Sequence, residues 1–505
     1  MDDVQINIDG VISAINRLPT KSSPGPDGVC SKLLKLTKDA SGAVLASLFQ
    51  QSLNTGHIPN EWKSANVVPI YKSGNRNCPT NYRPISLTSV PCKLLEHIIY
   101  SSVMKHLVSN NLLFPNQHGF QRGLSCETEL FELVTDLHTC IHSSSQIDAI
   151  FIDFSKAFDR VPHSRLIKKL QYLKINDKVI TWIREFLHDR KQSVLANDIT
   201  SPPIHVKSGV PQGSVIGPLL FLIYINDLPN NISSKIRLFA DDCVVYRQIS
   251  SQSDCLALQS DLDIILSWCD TWQMQINIDK TKIMTFTNRR SSFQYDYKVI
   301  DSKLDKVSTY KYLGVHLTSN LSWNTHLDYI LRRANQSLGF LRRHLYMATA
   351  ETKLLAYSTL IRPKLEYAAI IWNPHQKYLI NNLESLQNRA TRFILKTYSP
   401  ISVSQLKSSL GLLTLHQRRY LARLSHFHKL YHSSSDFRQN NILPPARISP
   451  RHDHCYKVHI PFARTNLFKY SPFVQAATEW NELASEIATI TDHDTFMLLL
   501  RESLK

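Results

Sequence analysis

The period of apolar and polar positions changes repeatedly along the chain, and each change marks an element. Residues 236–246 run apolar and β-branched into Asp241-Asp242 and out again, with no helical period. That pattern predicts a β-hairpin with two carboxylates at its tip. Residues 148–154 form a second apolar run that ends in Asp153, and an unbroken apolar run reads as a central, doubly covered strand. Helical periodicity takes over at 91–110, where Leu94, Leu95, Ile98, Ile99, Val103 and Leu107 make one broad stripe. It recurs at 125–140, 164–173, 178–187 (capped by Asn176 or Asp177) and 254–272. Near the N-terminus, a helix ends at Leu18-Pro19, a turn-rich basic loop covers 21–28, and a helix over 39–53 is stopped by Asn54 and Gly56. Extended segments are predicted at 62–72, 81–87, 192–199, 204–208, 274–278 and 282–286, with a hairpin inside 307–317. From residue 325 the pattern is helical: 325–348, 351–367, 379–396 and 415–430. Residues 433–451 are polar and proline-bearing, as a linker would be, and 452–505 form a small tail.

Strands mixed with helices, followed by a helical run, predict an α+β chain. At 505 residues, 43% apolar content is enough to bury real cores and argues against disorder. The formal net charge of +17 favours a polyanionic partner, with nucleic acid first. Nine scattered cysteines, none in a C-x-x-C pair, argue against a disulfide framework or zinc finger and for a reducing compartment. The residues after Met1 carry no basic-then-apolar signal, and the longest near-apolar run, 215–225, is interrupted by Gly217 and Pro218 and is too short for a bilayer. The expectation is an intracellular chain without a membrane partner.

The chemistry concentrates at the carboxylates. Adjacent like charges raise each other's pKa unless a cation lies between them, and a hard divalent metal such as Mg²⁺ takes oxygen ligands of this kind. An Asp-Asp pair alone is also what a solvated turn uses; Asp153 at the end of a neighbouring strand is what turns the reading toward phosphoryl transfer on two metals. Two extended segments joined by a polar loop place Lys72 and Arg83 on a flap, as a triphosphate clamp or as two solvated cations. The 208–214 loop, with Gln212 and Gly213, lets backbone approach a ligand and opens a helix leading to the Asp-Asp hairpin. Lys280 lies between two predicted strands, with Lys282 as its neighbour. Arg332 and Arg343 share a helix face that suits a phosphate backbone or solvent equally. His118 reads as structural, and His452, His454 and Cys455 are too few for zinc.

Taken in order, Lys72, Arg83, the 153–159 segment Asp-Phe-Ser-Lys-Ala-Phe-Asp, the 209–214 segment Gly-Val-Pro-Gln-Gly-Ser, Phe239-Ala240-Asp241-Asp242, Lys280 and Tyr312-Leu313-Gly314 resemble the reverse transcriptase of a non-LTR (LINE-type) retrotransposon. The jockey-like branch is the most similar, and residues 360–367 and 479–483 also look like it. The resemblance spans roughly residues 10–430 and implies a right-hand polymerase: fingers, a palm with an antiparallel sheet, a helical thumb, and a small, mostly helical C-terminal region. It implies fingers and an N-terminal extension over 1–145, palm over 146–318 with fingers helices inserted at about 164–205, thumb over 325–432, and linker and tail over 433–505. It implies RNA-directed DNA synthesis. Asp153, Asp241 and Asp242 would hold two Mg²⁺ ions, with Mn²⁺ as substitute, and the partners would be an RNA template, a DNA primer and deoxynucleoside triphosphates. Lys72 and Arg83 match the triphosphate clamp, Phe158 the sugar gate, Gln212 and Gly213 the nucleotide-supporting loop, Lys280 the pyrophosphate-protonating region, and Tyr312, Leu313 and Gly314 the primer grip. Nuclear action follows from the family's habit of priming at chromosomal DNA. Neither an upstream apurinic-type endonuclease nor an RNase H segment is expected in this chain. The alternative is a truncated, inactive retrotransposon-derived nucleic-acid-binding protein.

Overall fold

A computed structural model describes residues 1–397, 401–449 and 453–504; His452 lies outside them. The central strand is Gln146–Ile152, and every one of its residues is buried. It sits third in a five-stranded sheet ordered Asp305–Lys306, Lys282–Thr287, Gln146–Ile152, Asp242–Ile249, Lys235–Phe239. Its neighbours on both sides are antiparallel. The unbroken apolar run has a physical cause: both faces of the strand are covered. Ile150 and Ile152 point into one core, while Ala149 and Phe151 point into another.

The first core is closed by the helices Val90–Ser109, Gly217–Ile225 and Gln252–Trp272. Gly217–Ile225 is apolar all round and so lies wholly inside. The second core is built on Cys126–His142 and the helices after residue 324. Its largest anchors are Trp372 and Trp480, both fully buried. Side chains of this size contribute roughly 1.5–3 kcal/mol each on burial, so the helices that carry them dock rather than trail. Phe437, inside the segment read as a linker, is buried and meets Phe131 edge-on at 5.7 Å.

A second sheet stands to one side. Tyr82–Leu87 pairs antiparallel with Ser64–Tyr71, which runs parallel to Arg190–Ala196. The strand predicted over 192–199 starts at Arg190 and stops at Ala196. Asn197 (φ 50) and Asp198 (φ 61) turn the chain between the paired residues Ala196 and Ile199, as a two-residue type I′ turn requires. Two further expectations are corrected. The helix predicted over 351–367 is broken into Ala350–Leu360 and Arg362–Glu366, because Pro363 has no N–H to continue the ladder. Residues 274–278 are no strand: they make only the bridge Phe154↔Ile276 and then turn back on Asn277. Among the described residues no helix is long and apolar enough to cross a membrane.

Candidate active site

The hairpin closes at the pair Phe239↔Asp242, which leaves Ala240 and Asp241 as a two-residue turn. Ala240 has φ 55, a left-handed position that glycine fills more easily and that costs alanine roughly 1–2 kcal/mol. A neighbouring loop holds it there. Leu238 N donates to Asn116 O (3.0 Å), and Leu238 O accepts from His118 N (2.7 Å). Gln117 Oε1 then accepts from both Gly119 N (2.8 Å) and Ala240 N (2.9 Å). Backbone approaches backbone so closely that a Cβ on Gly119 would lie 2.4 Å from Ala240 N. His118 is buried, its pKa lowered to about 3 first by burial and then by Arg237, and it bonds Thr128 Oγ1 at 2.8 Å.

Strand register supplies the third carboxylate. The last ladder pair between the two strands is Ile152↔Cys243. One step further, Asp153 and Asp242 face each other across the sheet, where like charges repel. Asp153 is tied from behind: Asn277 N donates to its carbonyl (2.7 Å), and its own N–H donates to Thr281 Oγ1 (3.3 Å). The turn between those contacts delivers Lys280, whose Nζ lies 3.4 Å from Asp153 Oδ2. Burial raises the pKa of Asp241, and Asp153 adds to it. Asp242 keeps a face open to solvent, yet it is pushed up to about 6, first by desolvation from the surrounding walls, then by Asp241 and Asp153. Lys72 and Arg83 pull both the other way.

A cavity of 1210 Å³ opens here, lined by Lys72, Arg83, Asp153, Phe158, Gln212, Asp241 and Lys280 among others. Lys72 and Arg83 reach it on one face of the flap. Arg83 pairs with Ile70, and Lys72 lies two residues further on the same strand line, its N–H donating to Asn81 O at 2.9 Å. Phe158 stacks on Phe221 with ring centres 4.3 Å apart and meets Phe120 edge-on at 6.2 Å. Gln212 Nε2 donates to Asp159 Oδ1 (2.9 Å), and Gln212 O accepts from Ser86 N (2.7 Å). Gly213 (φ +122) follows, and a Cβ there would lie 2.3 Å from Ser86 O. The glycine loop is thereby stitched to the strand that carries Arg83.

Tyr312, Leu313 and Gly314 stand apart from this cavity. Tyr312 ends the strand Thr309–Tyr312 and pairs with Val315, and Leu313 (φ 42) and Gly314 (φ 85) turn the chain into Val315–Thr318. Tyr367 Oη donates to Leu313 O at 2.8 Å, and Tyr312 donates to Glu129, whose pKa burial lifts to about 8. Tyr310 is nearer the carboxylates: it stacks on Phe151 at 4.5 Å, and its hydroxyl is pushed up to about 12 by burial, with Asp153 and Asp242 adding. Sequence reading missed Gln117, Gly119, Asn277 and Tyr310. The short Gln-His-Gly run of 117–119 was visible, but nothing local tied it to residue 240.

Among the described residues no three His, Cys, Asp or Glu side chains close into a formed metal cage. The donor set nevertheless fits a hard divalent cation. Three carboxylates hold each other's charge in check, and Lys280, the one ammonium touching them among the described residues, is more than half exposed and free to swing aside.

Residues 70–317 match the model of the family described as reverse transcriptase (RNA-dependent DNA polymerase). A probable RNA-directed DNA polymerase from transposon BS of Drosophila melanogaster is 31% identical over 445 residues, covering 84% of this chain and 49% of that protein. The corresponding protein of transposon X-element, from the same organism, is 26% identical over 87% of this chain and 50% of its own length. The RNA-directed DNA polymerase from mobile element jockey of Drosophila melanogaster is 27% identical over 77% of this chain and 44% of its own length. The chain thus spans about half the length of the curated relatives it matches.

Proposed function

We propose, for a chain whose residues 70–317 are a reverse transcriptase domain of the non-LTR retrotransposon kind, that it copies an RNA template into DNA by adding deoxynucleotides to a primer 3′-hydroxyl. One observation carries the reading: strand register and a pinned turn bring Asp153, Asp241 and Asp242 together, and Asp153 and Asp241 share one cavity with Lys72 and Arg83. Reverse transcriptases are in general dependent on divalent metal. Here two Mg²⁺ ions, with Mn²⁺ as substitute, would be held by the three aspartates and would supply activation of the hydroxyl and charge neutralisation at the leaving group.

The chain's own residues do the rest. Lys72 and Arg83 grip the β- and γ-phosphates from the flap and set the α-phosphate over the carboxylates. Phe158, wedged between Phe221 and Phe120, cannot retreat, so its ring edge rejects a ribose 2′-hydroxyl. Gln212, anchored by Asp159, and the close backbone at Gly213 support the nucleotide. Lys280 Nζ, 3.4 Å from Asp153 Oδ2, hands a proton to departing pyrophosphate. The turn of Tyr312, Leu313 and Gly314 braces the primer strand, and residues 1–145, 146–318, 325–432 and 433–505 serve as fingers, palm, thumb and C-terminal region. The template RNA and primer DNA meet at chromosomal sites in the nucleus.

The test is primer extension on a poly(rA)/oligo(dT) duplex with Mg²⁺ and dTTP, run beside the double variant Asp241→Ala, Asp242→Ala. Extension by the parent and none by the variant is expected. If neither extends while the parent still binds the duplex with a steep salt dependence, the chain is a binding relic and the proposal is wrong.

A further inference from the structure

The ring of Phe120 stands half out of the protein. It is 44% exposed, and its backbone is left-handed, at φ 56. Each of these is unfavourable: an apolar ring is left in water, and its Cβ is pressed against its own backbone. Glycine or asparagine meets such a φ more easily. The same loop uses glycine at 119 and again at 123, where φ is +83. A ring at 120 thus answers to no need of the turn, and a bulky outlier of this kind points to the surface that it presents.

Phe120 is held from two directions. Phe158 meets it at 6.2 Å with 81° between the ring planes, and Phe158 is itself stacked on Phe221. The residue before it, Gly119, is tied to the carboxylate turn: Gln117 Oε1 accepts from both Gly119 N and Ala240 N. Gln121 Nε2 donates to Gln117 O at 2.7 Å and closes the loop on itself. Phe120 therefore stands between the ring assigned above as the sugar gate and the turn that carries Asp241, yet it does not line the nucleotide cavity. Arg122, two residues on, is exposed as well. An aromatic ring with a cation close by in the chain is the equipment that holds nucleic acid without regard to sequence.

On the polymerase reading, the sugar of the entering nucleotide lies on Phe158, and the attacking 3′-hydroxyl lies at the carboxylates. The nucleotide that bears this hydroxyl is the last of the primer, and it occupies the ground between them. Resting on that reading, we propose that Phe120 is a primer-binding residue, whose exposed ring packs against the sugar and base of the primer's 3′-terminal nucleotide. The ring is paid for by that contact and not by the packing of the free chain.

The full chain is titrated with a poly(rA)/oligo(dT) duplex, without nucleotide or divalent cation, beside Phe120→Ala, Phe120→Gly and Phe120→Tyr. The two variants without a ring should bind on the order of tenfold more weakly, the size of one contact between a base and a ring. Phe120→Tyr should bind within threefold of the parent. Phe120→Gly suits φ 56 and decides the matter if Phe120→Ala does not fold. A duplex of the same length whose ends are closed by loops, so that no 3′-terminus is free, should bind the parent and Phe120→Gly alike. In primer extension by Phe120→Gly, KM for the open duplex should rise on the order of tenfold, with KM for dTTP within twofold of the parent. Equal affinity of the parent and Phe120→Gly for the open duplex overturns the proposal. So does an equal loss on the closed duplex, which marks a general strand contact. A variant that keeps duplex affinity but loses its preference for dTTP over UTP overturns it too, because Phe120 is then only a buttress for Phe158. A parent that binds the open duplex and never extends it overturns the polymerase reading alone, since the titration decides the contact by itself; a parent that binds no duplex overturns both.

Discussion

Gly119→Ala is the sharpest perturbation of the carboxylate turn, although residue 119 does not line the cavity. A Cβ at Gly119 would sit 2.4 Å from Ala240 N and 3.0 Å from the Phe239 carbonyl carbon, whereas ordinary contact begins at 3.4 Å. Both neighbours are backbone, so no side chain can swing away. The turn and the 117–119 loop must part by about 1 Å, and a misplacement of that size costs on the order of 10²-fold in rate. The same movement stretches the bond between Gln117 Oε1 and Ala240 N, now 2.9 Å, out of hydrogen-bonding range, at about 1 kcal/mol. Primer extension by the variant should therefore fall on the order of 10²-fold, about 2.7 kcal/mol in the barrier. Its thermal stability should fall by roughly 1–3 kcal/mol, the usual range for overpacking. Gly339→Ala is the control: its Cβ would meet nothing nearer than Arg343 Nη1 at 3.6 Å, and alanine in a helix interior adds up to about 1 kcal/mol of stability. A folded Gly119→Ala protein that extends primers within twofold of the parent would falsify the claim that this loop positions the carboxylates.

Three further outcomes follow from the same geometry. Phe158→Val removes the ring held between Phe221 and Phe120, so the preference for dTTP over UTP in single-nucleotide incorporation should drop by roughly 1–3 kcal/mol, or 10- to 200-fold; an unchanged ratio excludes Phe158 as the sugar gate. Lys280→Ala should lower kcat on the order of 10²-fold, the lower end for a general acid, with KM for dTTP little changed; a loss confined to KM would make it a binding residue instead. Burial lowers His138 and His326 to about 3, so between pH 6.5 and 3 the unfolded chain binds protons that the folded chain does not. Stability should fall with pH through that window, by about 2 kcal/mol per histidine at pH 5. Denaturant melts of the parent and of His138→Leu at pH 7 and pH 5 check this, and equal pH slopes for the two proteins would sink it.

Much of the local architecture was legible from the one-dimensional pattern. The unbroken apolar run ending at Asp153 and the apolar arms around Asp241-Asp242 are strands in the structure, because period and β-branched content act over a few residues. The flap bearing Lys72 and Arg83 was readable for the same reason, from two extended runs around a polar loop. Less visible was what lies between such runs. Residues 274–278 have the composition of a strand but serve as a rail that ties Asp153 and delivers Lys280, since the ladder on that side of Gln146–Ile152 is already taken by Lys282–Thr287. The polar stretch before Ile442 looks like a linker by composition, yet Phe437 is drawn into the core beside Phe131, because one large apolar ring outweighs many solvated neighbours.

Composition, charge and short-range periodicity determined which segments are strands and helices, and which carboxylates and cations stand at strand ends. Only the tertiary structure decided that Gln117 would clamp Ala240. It also decided that Asp153 would face Asp242. The physical reason is range. Propensity and period are properties of neighbours along the chain, whereas the contact between Gln117 and Ala240 joins residues 123 apart in sequence, and such pairings exist only once register and packing have brought the segments together.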